Sequence, residues 1–358
     1  MERPVNIRLS DSYDSLIILD QTLLPLEERF VELTTREQLV DAIRKLMVRG
    51  APAIGIAAAY GYYLCARTDA GREDFFRRMD DAERLLASSR PTAVNLFWAL
   101  TRMRQCLKRN ALLPREELIE KLRLEAAAIQ DEDIAANRRI SEFGLSLIKE
   151  GMGVLTHCNA GPLATSCYGT ALGPLILAQE RRIAVHVFAD ETRPLMQGAR
   201  LTAYELMRAG VDVTLICDNM ANQVMKEGKI SAVFIGCDRA ARNGDAANKI
   251  GSSGLAVLAH HYGIPFYMFA PLSTVDMETA FGKDIKIEQR DPSEITEGFF
   301  KSRIAPEGVN VYNPAFDVVD HELISGIVTE EGIITAPFEE NFIKAFERKQ
   351  KRTEQENA

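Results

Sequence analysis

Cys158 ends a short apolar run, Val154-Leu155-Thr156-His157-Cys158, and the turn formers Asn159, Gly161 and Pro162 follow at once. In an open α/β sheet, ligands bind outside the carboxyl ends of the strands, where such turns lie. A cysteine in that place has three readings: nucleophile, acid/base, or inert buried thiol. Amides at the start of a following helix would favour its thiolate form.

Similar polar clusters close other apolar runs. Phe188-Ala189 leads into Asp190-Glu191-Thr192-Arg193-Pro194 and then Gln197-Gly198-Ala199-Arg200. Leu215-Ile216 leads into Cys217-Asp218-Asn219, and Ile235-Gly236 into Cys237-Asp238-Arg239, Asn243-Gly244-Asp245 and Asn248-Lys249. If the runs are parallel strands, these clusters meet Cys158 and Asn159 on one edge. Helix capping accounts for some of them, and Asp218 reads as a cap. It does not account for Asp190, Arg193, Gln197, Asp238 and Lys249 together. Asp238 follows a fully apolar run, and partial desolvation there would raise its pKa toward general acid/base use. An ion pair with Arg239 or another nearby cation is the competing reading.

Three turns suit an anion. Arg49-Gly50-Ala51-Pro52 places a proline in the first turn of a predicted helix beside an arginine, and helix N-terminal amides attract phosphate. Asn248-Lys249 is predicted to open another helix, and Arg90-Pro91-Thr92 precedes a third. Together they suggest a sugar phosphate. Gly151-Met152-Gly153 precedes its strand and so is not a dinucleotide fingerprint. Neither a Walker loop nor a Gly-x-Ser-x-Gly elbow occurs, and the five histidines lack metal-ligand spacing. No cofactor and no metal are expected.

The elements that position these residues fall into two sets. Residues 1–150 are read as an N-terminal domain: a few short antiparallel strands, then helices at about 36–47, 51–67, 71–88, 92–109 and 115–149. Residues 151–358 are read as a Rossmann-like domain. Its strands are predicted at 153–157, 183–188, 211–216, 231–236, 265–269, 316–319 and 326–328, with helices at 163–179, 195–209, 220–227 and 248–262. That alternation predicts an α/β fold, a parallel sheet with helices on both faces. The tail after Phe342 is read as a frayed helix end.

Composition narrows the function classes. Among 358 residues, 43 Lys and Arg against 51 Asp and Glu give a net charge of −8, which argues against nucleic-acid binding. Neither a membrane-spanning run nor a signal-peptide core is present, so a cytoplasmic protein is expected. The six dispersed cysteines are expected to be free thiols.

With these residues assembled, the chain resembles the methylthioribose-1-phosphate isomerase family. The resemblance rests on Arg49 to Gly55, Arg90 to Asn95, Thr156 to Gly161, Asp190 to Pro194, Gln197 to Thr202, Asp218 to Met220 and Asn243 to Gly251, a set spanning roughly residues 49–330. It implies Cys158 as acid/base or transition-state stabiliser and Asp238 as proton donor. It further implies substrate contacts from Arg49, Gly50, Ala51, Arg90, Gln197, Asn248 and Lys249, a homodimer, and no cofactor. Cys237, where the family commonly has Ala, and the Gly251-Ser252-Ser253-Gly254 turn depart from the pattern without removing a catalytic group. The implied reaction is conversion of 5-methylthioribose 1-phosphate to the ketose, in methionine salvage. Two alternatives stand beside it: an isomerase for 5-deoxyribose 1-phosphate or ribose 1,5-bisphosphate, and a regulatory sugar-phosphate- or nucleotide-binding protein of the same fold.

Overall fold

The computed structural model describes residues 6–91 and 93–356. They cluster into two compact units, residues 1–135 with 162–169, and residues 136–161 with 170–358. Among the described residues no helix is long and apolar enough to cross a membrane.

The first unit opens with an antiparallel meander of β1 (Ile7–Leu9), β2 (Leu16–Leu19) and β3 (Phe30–Leu33). Helix α1 (Arg36–Arg44) starts at a capping box: Thr35 accepts from the Gln38 N–H, and the Gln38 side chain accepts from the Thr35 N–H. Helix α2 (Ala51–Thr68) is buried on nearly every side from Ala53 to Ala66, as its run of small and apolar residues requires. Helices α3 (Phe75–Ala87), α4 (Val94–Arg109) and α5 (Arg115–Leu145) follow, and the division between the units falls inside α5. Gly55 of α2 lies so close to α4 that a Cβ there would sit 2.9 Å from the Asn95 carbonyl.

In the second unit, β4 (Met152–Thr156), α6 (Gly173–Glu180), β5 (Val185–Asp190), α7 (Ala203–Arg208), β6 (Asp212–Ile216), α8 (Ala221–Lys226) and β7 (Ala232–Gly236) alternate. Then come β8 (Arg239–Ala241), β9 (Ala246–Lys249), α9 (Ser252–His261), β10 (Phe266–Phe269), β11 (Val275–Asp276), α10 (Ser293–Thr296), β12 (Phe316–Val319), β13 (Gly326–Thr329), β14 (Gly332–Ile334) and α11 (Phe338–Glu356). The main sheet has the order β14-β13-β10-β7-β4-β5-β6, parallel except for β14. Alternate residues feed two cores. Leu155, Val233, Ile235 and Met268 pack with α8, α9 and α11, whereas Val154, Ala232, Phe234 and Phe269 pack with α6, α7 and the end of α5. This is the expected α/β fold, preceded by the expected small antiparallel sheet and helices.

Several expected elements differ. The helix read over 163–179 is a 3-10 turn, Pro162–Ala164, then a loop, then α6; Tyr168 and Gly169 both take positive φ, which no α-helix accommodates. The helix read from 195 is delayed by Met196 at φ +58° and begins as a π-helical turn, Gly198–Thr202, before α7. Strand 316–319 lies outside the parallel sheet: it pairs antiparallel with β9 in a second sheet of order β11-β8-β9-β12. Asn248 and Lys249 do not open a helix. They lie on β9, opposite Asp317 and Phe316, and α9 starts only after Gly251 turns at φ +105°. The tail past Phe342 continues as regular helix to Glu356.

Candidate active site

The strand order fixes where a ligand belongs. Numbered within their own unit, the six parallel strands run 3-2-1-4-5-6, so the order reverses between β4 and β7, and such a crevice is where doubly wound sheets bind ligands. Cys158 lies two residues beyond β4 and Asp238 two residues beyond β7. The two ends approach closely because position 236 has no side chain: a Cβ on Gly236 would lie 2.8 Å from the Ala160 Cβ.

Cys158 sits at φ +63°, a left-handed conformation that side-chain-bearing residues seldom adopt. Two threonines hold it there. Its N–H donates to Thr192 Oγ1 at 2.8 Å, and its carbonyl accepts from Thr202 Oγ1 at 2.6 Å. Thr202 also accepts from Asn159 Nδ2, which donates in turn to Glu205 at 2.6 Å. Thr192, itself at φ +64°, is anchored by Asp218, whose two oxygens accept from the Thr192 and Arg193 N–H groups at 2.7 and 2.8 Å. Asp218 is therefore no helix cap, as its sequence position suggested; it ties the turn after β5 to the end of β6.

His157, which the spacing of histidines left without a role, is central. It is 2% exposed; Nδ1 meets Asp190 Oδ2 at 3.0 Å, and Nε2 donates to the Ile250 carbonyl at 2.9 Å. Burial acts to lower the pKa of the imidazole, and the Asp190 hydrogen bond and charge outweigh it, leaving the group raised. Burial pushes the Asp190 carboxyl up to about 6 against the opposing pull of His157. His157, Asp190 and Asp218 bring one potential metal-ligand atom each within 4.8 Å. The nitrogens of His157 and both oxygens of Asp218 are already in hydrogen bonds, so the trio is a structural network rather than an open coordination site.

Across the edge, the Asp238 N–H donates to the Ala247 carbonyl at 2.9 Å, joining the turn after β7 to β9. All four residues of β9 are buried. Asn248 donates to Ser252 Oγ at 2.9 Å, and the Lys249 ammonium lies 5.1 Å from the Phe316 ring centre. Burial draws the Lys249 pKa below the ordinary lysine range, while negative charge on Cys158 and on Asp238 opposes the drop. β9, which holds the turn of Asp238, thus also carries a buried lysine. Arg239 pairs with Asp276 at 3.8 Å. Gln197 is buried, and its Oε1 accepts no hydrogen bond among the described residues.

Cys158, Gln197, Asp238, Asn248 and Lys249 thus fall in the second unit, while Arg49, Gly50, Ala51 and Arg90 fall in the first. There, Gly50 caps α2 at φ +93°, Ala51 and Pro52 form its first turn, and Arg49 is largely buried. Thr92 of the Arg90-Pro91-Thr92 turn lies outside the described residues. None of the six cysteines is in a disulfide, as expected.

Residues 47–336 match the model of the initiation factor 2 subunit family. A methylthioribose-1-phosphate isomerase of Symbiobacterium thermophilum is 60% identical over 96% of each chain. A 5-deoxyribose 1-phosphate isomerase of Petrotoga mobilis is 53% identical, covering 96% of this chain and 99% of its own. The crystal structure of 5-methylthioribose 1-phosphate isomerase from Pyrococcus horikoshii superposes with a TM-score of 0.90 at 42% identity, covering 97% of each chain.

Proposed function

The chain belongs to the initiation factor 2 subunit family, and from that premise we propose that it is an aldose–ketose isomerase converting 5-methylthioribose 1-phosphate to 5-methylthioribulose 1-phosphate. One observation carries the reading: a strained cysteine, an aspartate and a buried lysine gather at the switch point of the sheet, in a chain 60% identical to an enzyme of that name. The reaction balances internally, since the hydrogen leaving C2 arrives at C1 and no external oxidant or reductant is consumed.

The substrate is locked at C1 by its phosphate ester, so the ring must open before the carbonyl can move. Asp238 donates a proton to the ring oxygen as the C1–O bond opens and regains one from the C2 hydroxyl as the ketone forms. Cys158 then either carries the proton from C2 to C1 through an enediol or stabilises the transition state of a direct hydride shift. Lys249 offsets negative charge developing beside both groups. Gln197 and Asn248, with Arg49, Gly50, Ala51 and Arg90, keep the substrate-contact roles that their motifs imply. The enzyme acts as a homodimer in the cytoplasm, within methionine salvage.

Turnover of the 5-methylthio, 5-deoxy and 5-phospho pentose 1-phosphates, followed by NMR, tests the assignment. Preference for the methylthio sugar supports it. Preference for 5-deoxyribose 1-phosphate would support the second reading, which the Petrotoga mobilis relative favours. Cys158→Ala and Asp238→Asn should each abolish turnover. Solvent deuterium at C1 of the product supports the enediol route, and its absence favours the hydride shift.

A further inference from the structure

Three chain segments of the second unit converge on one imidazole. His157 follows β4, Asp190 ends β5, and Ile250 follows β9; the ring of the first is bonded to the other two at 3.0 and 2.9 Å. Two of the three adjoin a residue of the proposed chemistry, and the third lies near a residue that holds Cys158. Cys158 follows His157, Lys249 precedes Ile250, and Thr192, which takes the Cys158 N–H, is two residues beyond Asp190. We propose that His157, clamped between Asp190 and the Ile250 carbonyl, is a positioning residue for the isomerisation, setting Cys158 and Lys249 relative to each other. This rests on the reading that Cys158 carries the chemistry.

The hydrogen bonds define how the clamp works. A carbonyl only accepts, so Nε2 must carry a proton toward Ile250. Nδ1 then faces a carboxyl oxygen, and two lone pairs cannot meet at 3.0 Å; a proton held by one partner or the other fills that bond. The ring is therefore fixed at both ends and cannot flip without breaking both bonds. It is fixed in its plane as well. A Cβ on Gly251 would lie 3.0 Å from Cε1 and 3.1 Å from Nε2, so the ring packs directly on the turn that follows Lys249. At 2% exposure the imidazole is walled off from any substrate and acts only through its neighbours. The left-handed Cys158 needs such a frame, because an unrestrained cysteine would relax out of φ +63°.

Steady-state kinetics on the full chain with 5-methylthioribose 1-phosphate, together with thermal melts, test the proposal. Asp190→Asn should be tolerated, keeping kcat within about 3-fold, because the amide can donate to Nδ1 of the Nε2–H ring. Asp190→Ala removes the clamp and should lower kcat by roughly 100-fold while KM changes far less, as expected for a displaced reacting group. His157→Gln, which retains a donor for Ile250, should fall between them and keeps the test open if Asp190→Ala does not fold. An equal loss in the Asn and Ala variants would overturn positioning in favour of a charge or proton role. A fall in melting temperature with unchanged kcat would reduce the clamp to scaffold and also overturn it. Cys158→Ala serves as the reference: an inactive Cys158→Ala beside a fully active Asp190→Ala sinks this inference alone, whereas an active Cys158→Ala sinks the functional reading beneath it.

Discussion

Gly236 and Ala160 meet so closely that a methyl group on Gly236 would stand 2.8 Å from the Ala160 Cβ. The contact joins the segment carrying Asp238 to the segment carrying Cys158, so it sets the separation of the two chemical groups. Gly236→Ala must push the segments apart. Overpacking of this kind costs about 1–3 kcal/mol. The expected outcome is a folded protein whose melting temperature falls by several degrees and whose kcat falls by at least roughly 10-fold. A variant with wild-type kcat would show that the spacing of these two segments does not govern turnover.

Much of this edge was legible in the sequence, because parallel strands put their carboxyl ends on one side whatever their order. Once the apolar runs 153–157, 183–188 and 231–236 were read as parallel strands, Cys158, Asp190 and Asp238 had to share an edge. The His157–Asp190 pair was within reach by the same logic. β4 and β5 pair with Thr156 opposite Ala189, so the next residue on each strand meets the other. Metal-ligand spacing among the histidines carries no signal for such a pair. The small sheet was less accessible. β9 contains Asn248 and Lys249, polar residues that favour a cap reading, and it becomes a strand only by pairing with Phe316 and Asp317, almost 70 residues away. Local propensity carries no information about such a partner. Tyr168 and Met196, both at positive φ, likewise interrupt expected helices through a backbone state that their residue types do not announce.

The His157–Asp190 pair should leave a signature in the pH dependence of stability. The Asp190 carboxyl sits at about 6 in the folded protein because of burial, against about 3.9 for a free aspartate. Between those values the folded state binds more protons than the unfolded state, so this group's contribution to stability falls as pH rises through the window. His157, also raised, contributes with the same sign and is lost as pH climbs through its folded value. Denaturant melts from pH 4 to 6 should therefore show Asp190→Asn gaining on the wild type as pH rises, by on the order of 2 kcal/mol across the window. Parallel curves would mean that Asp190 titrates like an ordinary exposed carboxylate.

Gly50 makes a separate case in the first unit. Its φ of +93° disfavours any side chain, and a Cβ there would fall 2.5 Å from the Ala164 Cα and carbonyl oxygen. Neither obstacle is the movable end of a flexible chain. Gly50→Ala should cost about 3 kcal/mol or more, from backbone strain and steric overlap together. It should also shift Arg49 and the first turn of α2, raising KM for the sugar phosphate more than it lowers kcat. A stable variant with unchanged KM would remove the Arg49-Gly50-Ala51 turn from the list of substrate contacts.

Lys249 separates function from stability most directly. Its ammonium is almost wholly buried and lies 5.1 Å from the centre of the Phe316 ring. Taking an ammonium out of water costs the fold free energy, which the lowered Lys249 pKa reflects, and an apolar side chain of similar size carries no such cost. Lys249→Met should therefore leave the melting temperature unchanged or raise it. Turnover should move the opposite way, with kcat/KM falling by about 100-fold once the charge beside Cys158 and Asp238 is gone. A variant that is more stable and equally active would show that the ammonium serves neither purpose, and one that is less stable would give it a structural duty instead. The predicted combination, more stability and less catalysis, is what a cation retained for chemistry produces.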